Sequence, residues 1–127
     1  MSKLFPRGLP TCRESALPRV REGNKFLDFA IKLIKACTKA RVPFALEHPQ
    51  TSYMWHDARL QAALRAAGAE LFVIHQCQFG TPHRKPTTIA VGVNQNLDYG
   101  ALGLAPCTTC IGRHGYCSRT GKKHVRL

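Results

Sequence analysis

The stretch Val42-Pro43-Phe44-Ala45-Leu46-Glu47-His48-Pro49 decides how the chain is read. A short apolar run follows a helical pattern and stops at an acid and a His-Pro step, so the spacing predicts a buried strand with Glu47 at its tip. Open α/β sheets gather their working groups at such strand ends, which makes Glu47 the first candidate functional residue. A second stretch, Phe79-Gly80-Thr81-Pro82-His83-Arg84-Lys85-Pro86-Thr87, is basic, rich in turn formers and flanked by apolar runs. It is the second candidate.

Working outward, residues 24–40 read as a helix: Phe26, Leu27, Ala30, Ile31, Leu33, Ile34 and Cys37 form an apolar stripe, and Lys25, Lys32, Lys35 and Lys39 lie mostly off it. Asn24 suits the N-cap, and Arg41-Val42-Pro43 ends the helix because a residue before proline avoids helical geometry. Beyond the Glu47 strand, Thr51-Ser52-Tyr53-Met54-Trp55 leads to an Ala-rich helix over residues 57–67 that Gly68 closes. Trp55, the only tryptophan, reads as core. Leu71-Phe72-Val73-Ile74 and Ile89-Ala90-Val91 supply two further strands, joined by the basic turn. The connection holds no helix, so these two strands should be antiparallel. The expected fold is α/β: a partial Rossmann-like sheet, half of a doubly wound one, with a C-terminal hairpin strand and a Cys/His-rich irregular tail.

With 127 residues, 44% of them hydrophobic, the chain can build one modest core. Residues 1–23 carry Pro6, Gly8, Pro10 and Pro18 among Arg7, Arg13, Arg19 and Arg21, and read as an extended basic arm. Residues 24–96 form the α/β domain, and residues 97–127 a basic tail. Nineteen Lys and Arg against seven Asp and Glu give a net charge of +12 and a pI near 10.0, which points to a polyanionic partner, most simply nucleic acid. No signal-peptide core or membrane-length apolar run is present, so the reading is a soluble intracellular protein without a membrane partner, nuclear in a eukaryote. In that compartment six cysteines are thiols or metal ligands rather than disulfides.

The tail places Cys107, Cys110, His114, Cys117 and His124 within eighteen residues. Tetrahedral zinc needs four ligands, and Cys107, Cys110 and Cys117 with either His124 or His114 would supply them. A metal would order a segment with too few apolar residues to fold by itself.

Taken together, Glu47-His48-Pro49, the turn from Phe79 to Thr87 and the strand ending in Gly92 resemble the second half of the catalytic domain of cytosine-5 DNA methyltransferases. A divergent branch of that family is more similar still, through Glu47 to Pro49, Ser52 to Trp55 and Arg84 to Thr87. The resemblance covers roughly residues 8–92. It implies that Glu47 holds a flipped cytosine by its Watson–Crick edge and stabilises the activated ring, with its pKa raised by partial desolvation. It also implies that Arg84 and Lys85 act beside it in catalysis and, with His83, contact the nucleic acid. Lys85 and Thr87 replace arginines of the family pattern, and His48 replaces an asparagine. Without the second stretch, Glu47 reads equally well as a strand-end carboxylate that caps the next helix or pairs with Arg59. Tails of the type Cys-Ser-x-Thr-Gly-Lys-x-His also occur in the divergent branch, matching Cys117 to His124, which favours His124 as the fourth ligand. Lys122 and Lys123 are further candidate nucleic-acid contacts. The family's glycine-rich S-adenosylmethionine loop and Pro-Cys nucleophile are not found ahead of Glu47. Methyl transfer is therefore expected only if a complementary methyltransferase subunit supplies the missing half and the cofactor. The alternative is a non-catalytic nucleic-acid-binding zinc module on the same scaffold.

Overall fold

A computed structural model describes residues 1–93, 115–117 and 119–125. In chain order the regular elements are α1 (Leu17–Ala40), β1 (Phe44–Pro49), α2 (Ala58–Ala66), β2 (Glu70–His75) and β3 (Pro86–Gly92). Short 3-10 turns lie at Glu14–Ala16, Tyr53–His56 and Gln76–Phe79. The chain divides into two compact units. One holds residues 1–44 and 52–69 with the end of β3, and the other holds 45–51, 70–90 and the tail.

In the first unit α1 packs on α2. It begins at Leu17 rather than at Asn24, because Pro18 sits in the first turn, where no backbone N–H is needed. Asn24 is therefore interior to the helix, and its side-chain amide donates to the Arg7 carbonyl at 2.8 Å. The apolar stripe is only partly used. Leu27, Ile31 and Ile34 are buried, whereas Phe26, Phe29 and Leu33 are exposed. The helix ends where Arg41 adopts a left-handed conformation, φ 55°, and the Val42 N–H reaches back to the Cys37 carbonyl at 2.9 Å. That is a glycine's position filled by an arginine.

The start of α2 follows the sequence closely. The Asp57 carboxylate accepts from the Leu60 N–H at 3.0 Å, and the chain leaves the helix through Gly68 at φ 59°. Trp55 is half-buried in the preceding turn. Asp57 is itself buried and receives the Arg7 guanidinium at 2.5 Å, while a second nitrogen of Arg7 reaches Asp28 on α1 at 2.8 Å. Arg59 also pairs with Asp28, at 3.1 Å, and not with Glu47. The basic lead-in expected to be an extended arm thus contributes an internal cation that joins both helices.

The end of β3 closes this unit. The Val93 N–H donates to the Ala67 carbonyl at 3.0 Å, and a Cβ added at Gly92 would overlap the Phe44 ring. Any larger residue there would force the Phe44 ring to move.

The sheet has the order β1-β3-β2 and is antiparallel. At one end the Gln50 N–H donates to the Pro86 carbonyl at 3.1 Å, and the Gln76 N–H to the Lys85 carbonyl at 3.4 Å. Half of a doubly wound sheet would set β1 and β2 side by side. Here β3 returns between them and pairs with both, as a strand following a short connection does more readily than a distant one. Thr87, Thr88 and Ala90 of this central strand are buried. Among the described residues no helix is long and apolar enough to cross a membrane.

Two stability measurements check this description. Burial pushes the Asp57 carboxyl up, but hydrogen bonds from Arg7 and the Leu60 N–H hold it below its ordinary value of 3.8. The pair therefore stabilises the fold above that value and loses its contribution as pH falls through the lower folded value. Arg7→Ala should cost about 2–3 kcal/mol in denaturant unfolding at pH 7, and the gap from wild type should narrow below pH 3.8. Arg41→Gly should instead raise stability by roughly 0.5–1 kcal/mol, by relieving the left-handed strain.

Candidate metal centre

Cys77 follows β2 directly, in the 3-10 turn Gln76–Phe79. The described tail forms a small hairpin opposite it: Tyr116 and Lys123 make an antiparallel bridge, and the His124 N–H donates to the Gly115 carbonyl at 2.9 Å. Its turn is tight, with the Gly121 N–H donating to the Cys117 carbonyl at 2.8 Å and Gly121 at φ 67°. The turn conformation demands the glycine.

The hairpin carries Cys117 and His124 to Cys77. The two sulfurs and an imidazole nitrogen all lie within 4.8 Å of one another, and all three residues are buried. Such a group could hold a metal ion. Tetrahedral zinc sets its ligand atoms about 3.5–3.8 Å apart, so a shift of about an ångström completes the approach. Both ring nitrogens of His124, which is only 5% exposed, are buried without a hydrogen-bond partner among the described residues. A buried imidazole with no partner is costly, and a metal ion is one group that satisfies it.

The electrostatics suit a thiolate. The Thr120 hydroxyl and the Thr120 and Arg119 N–H groups hydrogen-bond the Cys117 sulfur, and against the opposing effect of burial they lower its pKa from 9.0 to about 6. N–H groups aimed at a sulfur stabilise the form that binds metal. The Cys117 sulfur also lies 3.5 Å from the Cys77 carbonyl. His75 is buried nearby, its imidazole held below the usual range by burial and by the charges of Arg84 and His124.

The hairpin is also tied to the basic turn. The Val125 N–H donates to the Pro82 carbonyl at 2.8 Å, His83 Nδ1 donates to the Val125 carbonyl at 3.0 Å, and the Arg119 guanidinium lies 6.0 Å from the centre of the Phe79 ring. The turn is braced from within, since the buried Thr87 hydroxyl donates to the Lys85 carbonyl and accepts from the Gln76 amide, both at 3.2 Å. Thr87, which stands where the resembled family has an arginine, here braces the turn.

Of the expected ligands, Cys117 and His124 meet, while Cys107, Cys110 and the alternative His114 lie outside the described residues. Cys77 was missed. It lies forty residues from Cys117, and a search for ligands close together in sequence has no means of pairing them. Glu47 is exposed on β1. His83, Arg84 and Lys85 are half-buried on the turn, while Lys122 and Lys123 are exposed on the hairpin. In comparisons with known proteins the chain matches no family model, no curated protein and no solved structure.

Elemental analysis checks the centre. Wild type should purify with a divalent metal, Cys77→Ser and His124→Ala should each lose most of it, and their melting temperatures should fall by about 5 °C or more. Cys12→Ser, which alters a cysteine outside the cluster, should change neither. Full metal content in Cys77→Ser would remove Cys77 from the site.

Proposed function

We propose that this chain is a zinc-fastened nucleic-acid-binding α/β domain, built on a scaffold like the target-base half of cytosine-5 DNA methyltransferases. One observation carries the reading: two buried cysteines converge on a buried histidine with two unpartnered nitrogens, on a hairpin bonded to a cationic turn. A donor set of two sulfurs and one nitrogen suits zinc better than the hard cations magnesium and calcium. A fourth ligand is required, and Cys107, Cys110 and His114 are the candidates that the sequence offers. Zinc would supply structure here, since the hairpin brings few apolar residues.

The charge supports a nucleic-acid partner, with DNA favoured by the resemblance. Residues 76–93 and 115–125 contain Arg84, Lys85, Arg119, Lys122 and Lys123 and no acidic residue. Cations clustered in one lobe are the footprint of phosphate binding.

A second reading, methyl transfer, rests on the bond between Gln50 and Pro86. It ties the residue that follows the Glu47 strand, three positions beyond Glu47, to the first residue of the strand that leaves the basic turn. In that reading Glu47 would hydrogen-bond a flipped cytosine, and Arg84 and Lys85 would hold its phosphates. S-adenosylmethionine and the nucleophilic thiolate would come from a complementary subunit.

A salt titration with labelled duplex DNA tests the primary reading. Affinity should fall steeply with salt, and removing Lys122 or Lys123 should each lower the log–log slope by about 1. Glu47→Gln should leave binding nearly unchanged while abolishing any methyl transfer reconstituted with a complementary subunit. A salt-independent affinity would exclude the phosphate-binding function.

A further inference from the structure

Two exposed aromatic rings flank the metal-binding cluster, and neither serves the core. Phe79 is 52% exposed and Tyr116 is 63% exposed. Phe79 lies two residues after Cys77, and Tyr116 immediately precedes Cys117. The approach of the two sulfurs to within 4.8 Å therefore also fixes the separation of the backbones that bear the two rings.

Cationic residues share the segments that carry both rings. Arg119 lies over Phe79 at 6.0 Å, and Lys123 is bridged to Tyr116 across the hairpin. Arg84, Lys85 and Lys122 belong to the same two segments, which carry no carboxylate. Flat apolar faces set among cations and free of carboxylates complement a ligand that carries both phosphates and exposed bases. Aromatic faces set among cations are how proteins hold unpaired nucleotides, with bases on the rings and phosphates on the cations.

We infer that Phe79 and Tyr116 are stacking platforms for the unpaired bases of a single-stranded nucleic acid, held apart at a fixed spacing by the Cys77–Cys117–His124 centre. This rests on the nucleic-acid reading above and deepens it by naming the form of ligand and the groups that receive it. Duplex DNA keeps its bases stacked on one another and offers these rings nothing. The single strand is thus the preferred ligand, and the preference resides in the rings rather than in the charges.

The experiment is fluorescence anisotropy of the full-length protein with a labelled oligothymidine, and with the same strand annealed to its complement. The single strand should bind more tightly than the duplex. Phe79→Ala and Tyr116→Ala should each weaken single-strand binding by about tenfold and leave duplex binding within about twofold. Phe79→Trp and Tyr116→Phe, which keep a ring, should retain wild-type affinity, and metal content and melting temperature identify any variant that has lost its fold. Alanine variants that keep their metal and bind the single strand as wild type does would overturn the stacking site while leaving the phosphate-binding function intact. No binding of either oligonucleotide by wild type would overturn both.

Discussion

Two sulfurs and an imidazole meeting below the surface are the constraint on which the described tail depends. The hairpin from Gly115 to Val125 has almost no apolar surface to bury, because its side chains are mostly glycine, lysine, threonine and arginine. Hydrophobic packing cannot hold such a segment, and its few backbone bonds are too weak to offset the entropy of ordering it. The metal proposed above would, because the free energy of binding an ion adds directly to that of folding. The hydrogen bonds aimed at the Cys117 sulfur and the unpartnered nitrogens of His124 fit that role.

Under that proposal, fastening the hairpin would have a second effect. The bonds from Val125 to Pro82 and from His83 to Val125 link it to the basic turn, so ordering the tail also orders the turn. Cations from residues some forty positions apart in sequence then share one lobe. Phosphate binding rewards such clustering, since each preplaced charge releases counterions with little further loss of side-chain freedom.

The first unit relies on a different device. Arg7 lies between Asp28 of α1 and Asp57 at the cap of α2, so one guanidinium joins two helices and an N-terminal segment too irregular to pack by itself. Asp57 is doubly committed, to the cap and to the ion pair, which accounts for its burial. Buried carboxylates persist only when paired in this way.

Much of the local structure was legible in the amino-acid sequence. The second helix, its exit at Gly68, the three apolar strands and the turn between the last two all follow from short-range chemistry, which a linear reading can evaluate. Tertiary structure decided the rest. The insertion of β3 between β1 and β2, the recruitment of Arg7 to two acids and the meeting of Cys77 with Cys117 each join residues far apart in the chain. Periodicity and turn propensity record only what a residue prefers beside its neighbours, whereas these pairings are set by which distant groups the folded backbone brings within bonding distance.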